Sequence, residues 1–144
     1  MSNLRRNNGD DYPEAAWKHL LDAQALLNAA RYDGAGYHAG YVIECVYKTL
    51  LQIEGVFSRS HNLTHLSNEL SGLAGGGGSP RTARYIPNPP VQLTYSTPPQ
   101  GWKETMRYRA PGDVTPPIAR QWVREAQRVY QASIQKMRLD GVIR

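Results

Sequence analysis

Apolar residues recur at three- and four-residue spacing in four stretches of the chain, and the longest, Tyr37 to Ile53, is apolar around most of its circumference. A helix patterned this way is contacted on several sides, so the spacing predicts a central helix from near Ala35 to Gly55. Inside it stand Glu44 and Lys48, four residues apart and on the face that also carries Tyr37 and Tyr41. Charges within a buried pattern are costly unless they are paired or used. Two readings follow: an internal ion pair that fixes how helices register, which is the weightier, or one wall of a binding or catalytic cleft. Gly36, Ala39 and Gly40 leave room for another backbone to come close.

The flanking pattern supplies three more helices. Asp11 as a cap, Pro13 in the first turn and Glu14 three residues after the cap open a helix whose stripe is Ala16, Trp17, Leu20, Leu21, Ala23, Leu27 and Ala30. The Asp33-Gly34 pair predicts its end. Leu63, Leu66, Leu70 and Leu73 predict a shorter helix from about Asn62 to Leu73, capped by Asn62 or Thr64. From Ala74 to Pro117 glycine and proline break the pattern; a strand at Val91, Leu93 and Tyr95, hairpinned against Thr82 to Ile86, is expected there. The aromatic, arginine-rich segment Trp102 to Arg109 is expected to pack back on the helices. A last helix starts after Thr115 and runs to about Leu139, with Ile118, Trp122, Ala126, Val129, Tyr130, Ser133 and Met137 turned inward.

These elements predict an all-α fold, an up-down bundle of four to five helices with a long Gly/Pro-rich insertion between the third and last helices. Residues 1–11 read as a flexible N-terminus and 12–144 as a single helical domain with its insertion at 74–100.

Composition narrows the setting. A chain of 144 residues buries a real core as one domain, and its single cysteine, Cys45, rules out a disulfide framework. The N-terminal residues lack the apolar core of a signal peptide, and no apolar run is long enough to span a bilayer, so a cytoplasmic location without membrane partners is expected. The net charge of +5 rests on thirteen arginines against four lysines. Arginine's planar fork suits phosphate, which allows a nucleic-acid or nucleotide partner without demanding one. Arg120, Arg124 and Arg128 form an outward stripe on the last helix, a solvated face or a phosphate contact.

Other chemistry is thinly signalled. Gly75 to Gly78 lacks the lysine and flanking strand of a phosphate loop and reads as a linker. His61 and His65 lie four apart and could face one ion, but Cys45 belongs to the core and Glu69 is merely one turn on, so no metal and no cofactor is expected.

The chain resembles the HEPN domain family. The residues that carry the resemblance are HLLDAQALL, then RYDGAGYHAGYVIECVYKTLL, then HNLTHL, and a late Trp102 with Arg107 and Tyr108 before the final amphipathic helix. Tyr37 to Lys48 resembles the aromatic-Ala-Gly-Tyr-x-x-Glu-Cys-x-x-Lys string of many small members. The resemblance implies a helical bundle that usually dimerises. It also implies one of two roles: a metal-independent endoribonuclease with Arg-x(4 to 6)-His at the start of the last long helix, or a binding subunit that lacks this motif and commonly works with a nucleotidyltransferase. In the active kind, histidine moves the proton of the 2'-hydroxyl or leaving oxygen while arginine stabilises the transferring phosphate.

Here the arginines of Arg107-Tyr108-Arg109 stand where that motif would begin, yet no histidine follows them. At the third helix the spacing is met by Arg59 and His65, which are the candidate catalytic pair. Tyr41, Glu44, Lys48, Arg107, Tyr108 and Arg109 are expected to form a polar cleft or structural network, with a guanidinium on Glu44. Three functions are therefore carried forward. The first is a HEPN subunit that binds a protein partner, a nucleotidyltransferase or a defence-complex protein, in a toxin–antitoxin or antiphage system without catalysis of its own. The second is a HEPN endoribonuclease toxin. The third is an RNA- or nucleotide-binding accessory using the arginine stripe.

Overall fold

The structure is a computed structural model that describes residues 1–75, 80–88 and 101–144. It is all-helical among these residues: α1 (Tyr12–Asn28), α2 (Tyr32–Ile53), α3 (Leu63–Gly75), α4 (Pro116–Tyr130) and α5 (Lys136–Leu139), with 3-10 turns at Ala83–Tyr85 and Glu104–Tyr108. A π turn, Gln131–Gln135, joins α4 to α5. The glycine run at 75–78 beyond its first residue, and the strand expected at 91–95, lie outside the described residues.

α1 begins as the sequence predicts: the Asp11 carboxylate accepts from the Glu14 N–H at 3.4 Å and Pro13 sits in the first turn. Its end differs. α1 stops at Asn28, and the reversal is made by Ala30 with φ of 57°, whose neighbour Arg31 donates its N–H to the Leu26 carbonyl. Asp33 and Gly34, expected to be that turn, instead form the first turn of α2. The reason is a long-range bond. Asp33 accepts the N–H groups of Gly112 at 2.8 Å and Val114 at 2.9 Å, tying the loop before α4 to the start of α2.

α2 is the hub. α1, α3, α4 and the Glu104–Tyr108 turn all pack against it, so it is buried on every side from Val42 to Leu51. Gly36 and Gly40 do allow close approach, but by side chains rather than by a backbone. A Cβ on Gly36 would meet Val114 and Trp122, and one on Gly40 would stand 1.9 Å from the Trp102 indole. The predicted stripe of α1 is narrower than its apolar residues suggest. Ala16, Leu20 and Ala23 are buried, whereas Trp17 and Leu21 are 41% and 45% exposed, because small alanines let α1 lie close to α2 and leave the larger side chains at the edge.

Two further expectations change. Thr82 to Ile86 contains a 3-10 turn instead of a strand. Side-chain bonds hold it there: Thr82 N–H donates to Glu54 at 2.7 Å, Ser133 Oγ donates to the Tyr85 carbonyl at 2.6 Å, and the Tyr85 hydroxyl donates to Asp140 at 2.8 Å. The N-terminal residues, read as flexible, are docked. Ser2 donates from N and Oγ to Asp11, both at 2.7 Å, and Gln52 donates to the Leu4 carbonyl at 2.7 Å.

The last helical rod follows its predicted inward stripe. Trp122, Ala126, Val129, Tyr130, Ser133 and Met137 are buried, and the π turn adds Ile134. No helix of the described residues is long and apolar enough to cross a membrane.

Candidate functional site: the polar face of the central helix

The spacing of Glu44 and Lys48 produces the expected pair. Lys48 Nζ donates to Glu44 Oε1 at 2.8 Å, and the two residues are only 7% and 3% exposed. The sequence left out the third member. His61 Nδ1 stands 3.0 Å from the same Glu44 oxygen, brought there by the connection from α2 to α3, which Asn62 caps by accepting the His65 N–H at 2.9 Å. Glu44 Oε2 is buried with no hydrogen-bond partner among the described residues. A carboxylate so placed is held by one cation and one imidazole on a single oxygen.

Toward its N-terminus the same face is aromatic. The Tyr37 hydroxyl donates to that of Tyr41 at 3.3 Å, and Tyr41 meets Trp102 edge-on with centroids 5.2 Å apart. Trp102 Nε1 donates to the Tyr37 carbonyl at 2.9 Å, which fastens the late aromatic segment to α2 as expected. Burial, then the Tyr37 hydroxyl, pushes the Tyr41 phenol well above its ordinary range, so it stays neutral.

The arginines of the late segment lie at the edge of this face. Arg107 is exposed, with its guanidinium 4.8 Å from the centroid of the Tyr108 ring, and hydrogen bonds to Tyr108 and then Tyr37 raise its pKa further. Arg109 pairs with Asp113 at 3.4 Å. The guanidinium expected on Glu44 thus has its place taken by Lys48 and His61. Beside these arginines a cleft of about 510 Å³ opens between the start of α2 and the loop before α4, lined by Arg31, Asp33, Tyr37, Arg107, Arg109 and Asp113.

The candidate catalytic pair sits elsewhere. Arg59 is exposed before α3, and His65, also exposed, has Nε2 3.6 Å from Glu69. Cys45 is core, its thiol pushed up to about 12 by burial and by Glu44, which leaves it inert near neutral pH. Arg120, Arg124 and Arg128 are all exposed along α4, and Arg128 pairs with Glu125 at 3.1 Å.

One cluster went unnoticed in the sequence. His19 and Asp22 on α1 meet His38 on α2, with the two Nδ1 atoms 2.9 Å apart. Burial, then the charges of His38 and Lys18, lowers His19 to about 4, and burial lowers His38 as well, so both imidazoles are neutral at pH 7. The signal available was the three-residue spacing of His19 and Asp22, which puts them on one helical face. Their partner becomes visible only once α1 and α2 are aligned antiparallel.

A search of the curated proteins and of the solved structures finds no match to the chain. The family model of the HEPN domain matches residues 10–137, from the cap of α1 to α5. A helical bundle organised on α2 accords with that match, and the chain belongs to the HEPN domain family.

Proposed function

We propose that this chain is a binding subunit: a HEPN-domain protein, dimeric like many of its family, that engages a protein partner in a prokaryotic toxin–antitoxin or antiphage system and has no catalysis of its own. One observation carries the reading. Groups that HEPN ribonuclease chemistry would draw on are engaged in separate contacts, His61 with Glu44, His65 with Glu69, Arg107 against Tyr108 and Arg109 with Asp113, while Arg59 stands exposed before α3. An arginine and a histidine acting on one phosphate must converge on it.

Partner binding is supported by the exposed apolar edge of α1. Trp17 and Leu20 line a groove of about 390 Å³ between α1 and α4, where the rings of Trp17 and Tyr130 stand 5.6 Å apart. An exposed tryptophan beside a buried tyrosine, rimmed by glutamine and arginine, has the composition of an interface anchor. Co-expression with the product of the adjacent gene tests this, a nucleotidyltransferase or defence protein being the partner the reading expects. Co-purification that Trp17→Glu weakens at least about tenfold is expected, since anchor residues contribute about 2 kcal/mol or more. Co-purification indifferent to Trp17→Glu removes the groove from the reading.

The exposed row of Arg120, Arg124 and Arg128 favours a second reading, an RNA- or nucleotide-binding accessory. Phosphate contacts release counterions, so binding through this row should weaken steeply with salt. Under this reading, the gel mobility shift of a single-stranded RNA weakens markedly from 50 to 200 mM salt and is lost in the triple alanine variant. Equal mobility with and without protein at the lower salt would count against it.

A further inference from the structure

We propose that His19, Asp22 and His38 form a binding site for one divalent transition-metal ion of the zinc type, joining α1 to α2. Three ligand atoms, one from each residue, lie within 4.8 Å of one another. The Nδ1 atoms of His19 and His38 face each other at 2.9 Å, and Asp22 Oδ2 lies 3.9 Å from His38 Nδ1. An ion bonded to each ligand at about 2.0–2.2 Å separates its ligands by roughly 3–4 Å, so small side-chain rotations bring the three onto one centre. Two imidazoles with one carboxylate suit zinc, cobalt or nickel rather than magnesium or calcium, which prefer oxygen donors.

The surroundings support ligation. The His19 ring stacks on Tyr41 with centroids 5.2 Å apart, and the edge of Tyr37 meets His38 at 5.7 Å, so both rings are held in place from α2. Asp22 is half exposed, leaving the ion's remaining position open to solvent. Lys18 is the opposing charge nearby, acting on both histidines, and its long stem lets the ammonium turn to water. The same two rings explain themselves without metal as a hydrogen-bonded pair sharing one proton, so the two accounts must be separated by measurement.

Protein stripped with EDTA is titrated with Co²⁺, followed by its visible absorption, and with Zn²⁺ by calorimetry. The comparison set is wild type, His38→Ala, Asp22→Asn and a His61→Ala/His65→Ala control that keeps the proposed ligands. Wild type and control are expected to bind one equivalent with imidazole-type cobalt bands, and His38→Ala to lose at least about 100-fold in affinity, the share of one ligand in a bound zinc. Zn²⁺ should raise the melting temperature of wild type and leave that of His38→Ala unchanged. Asp22→Asn, peripheral and half exposed, should fold normally and bind more weakly, which keeps the test valid if His38→Ala fails to fold. No saturable binding to wild type, or binding lost in the control and kept in Asp22→Asn, overturns the site.

Discussion

Glu44→Ala is expected to lower the unfolding free energy by about 3–5 kcal/mol, because it leaves Lys48 charged and unpaired inside the bundle. Both members of the pair are nearly inaccessible, so water cannot take the place of the lost carboxylate. His61 loses its partner as well, but being half exposed it turns to solvent at little cost. The double replacement Glu44→Leu/Lys48→Met behaves differently. It removes both charges together with the unpartnered Glu44 Oε2, and it is expected to be neutral or stabilising. Urea unfolding of Glu44→Leu, Lys48→Met and the double replacement gives the coupling directly. A Glu44→Ala variant less than about 1 kcal/mol below wild type would mean that Lys48 finds another partner or leaves the core.

Gly40→Ala should be nearly as damaging. Its new methyl would stand 1.9 Å from the Trp102 indole, so the ring has to leave its place on α2, taking with it the bond to the Tyr37 carbonyl and the edge contact with Tyr41. Loss of a buried tryptophan's contacts costs about 3–5 kcal/mol. Alanine's better helix propensity returns about 0.5–1 kcal/mol, leaving a net loss of roughly 2–4 kcal/mol. The cause is checked in a Trp102→Ala background. There Gly40→Ala has nothing to strike and is expected to be neutral or slightly stabilising; an equal loss in both backgrounds would assign the effect to α2 itself.

The helices were legible in the sequence because their periodicity is local. Asp11, Pro13 and Glu14 set the start of α1, the all-round apolar pattern marked α2 as the hub, and the four-residue spacing of Glu44 and Lys48 gave their pairing. The losses are all long-range. Asp33-Gly34 carries a turn signature, but bonds to Gly112 and Val114, far along the chain, draw it into α2. Thr82 to Ile86 has strand-like composition, but Ser133 and Asp140 fix it as a turn. At the candidate site, one partner of Glu44 was readable on the same helix, whereas His61 approaches across a connection. The His19–His38 contact depends on how α1 and α2 align, which no single-helix pattern contains.

The measurement that bears most directly on a binding role without catalysis is incubation of the purified protein with total RNA in EDTA, beside His61→Ala and His65→Ala. Intact RNA in all three samples is the expected result, because His61, His65, Arg107 and Arg109 are held in separate contacts. Cleavage by wild type that either histidine variant abolishes would contradict the account and establish an endoribonuclease.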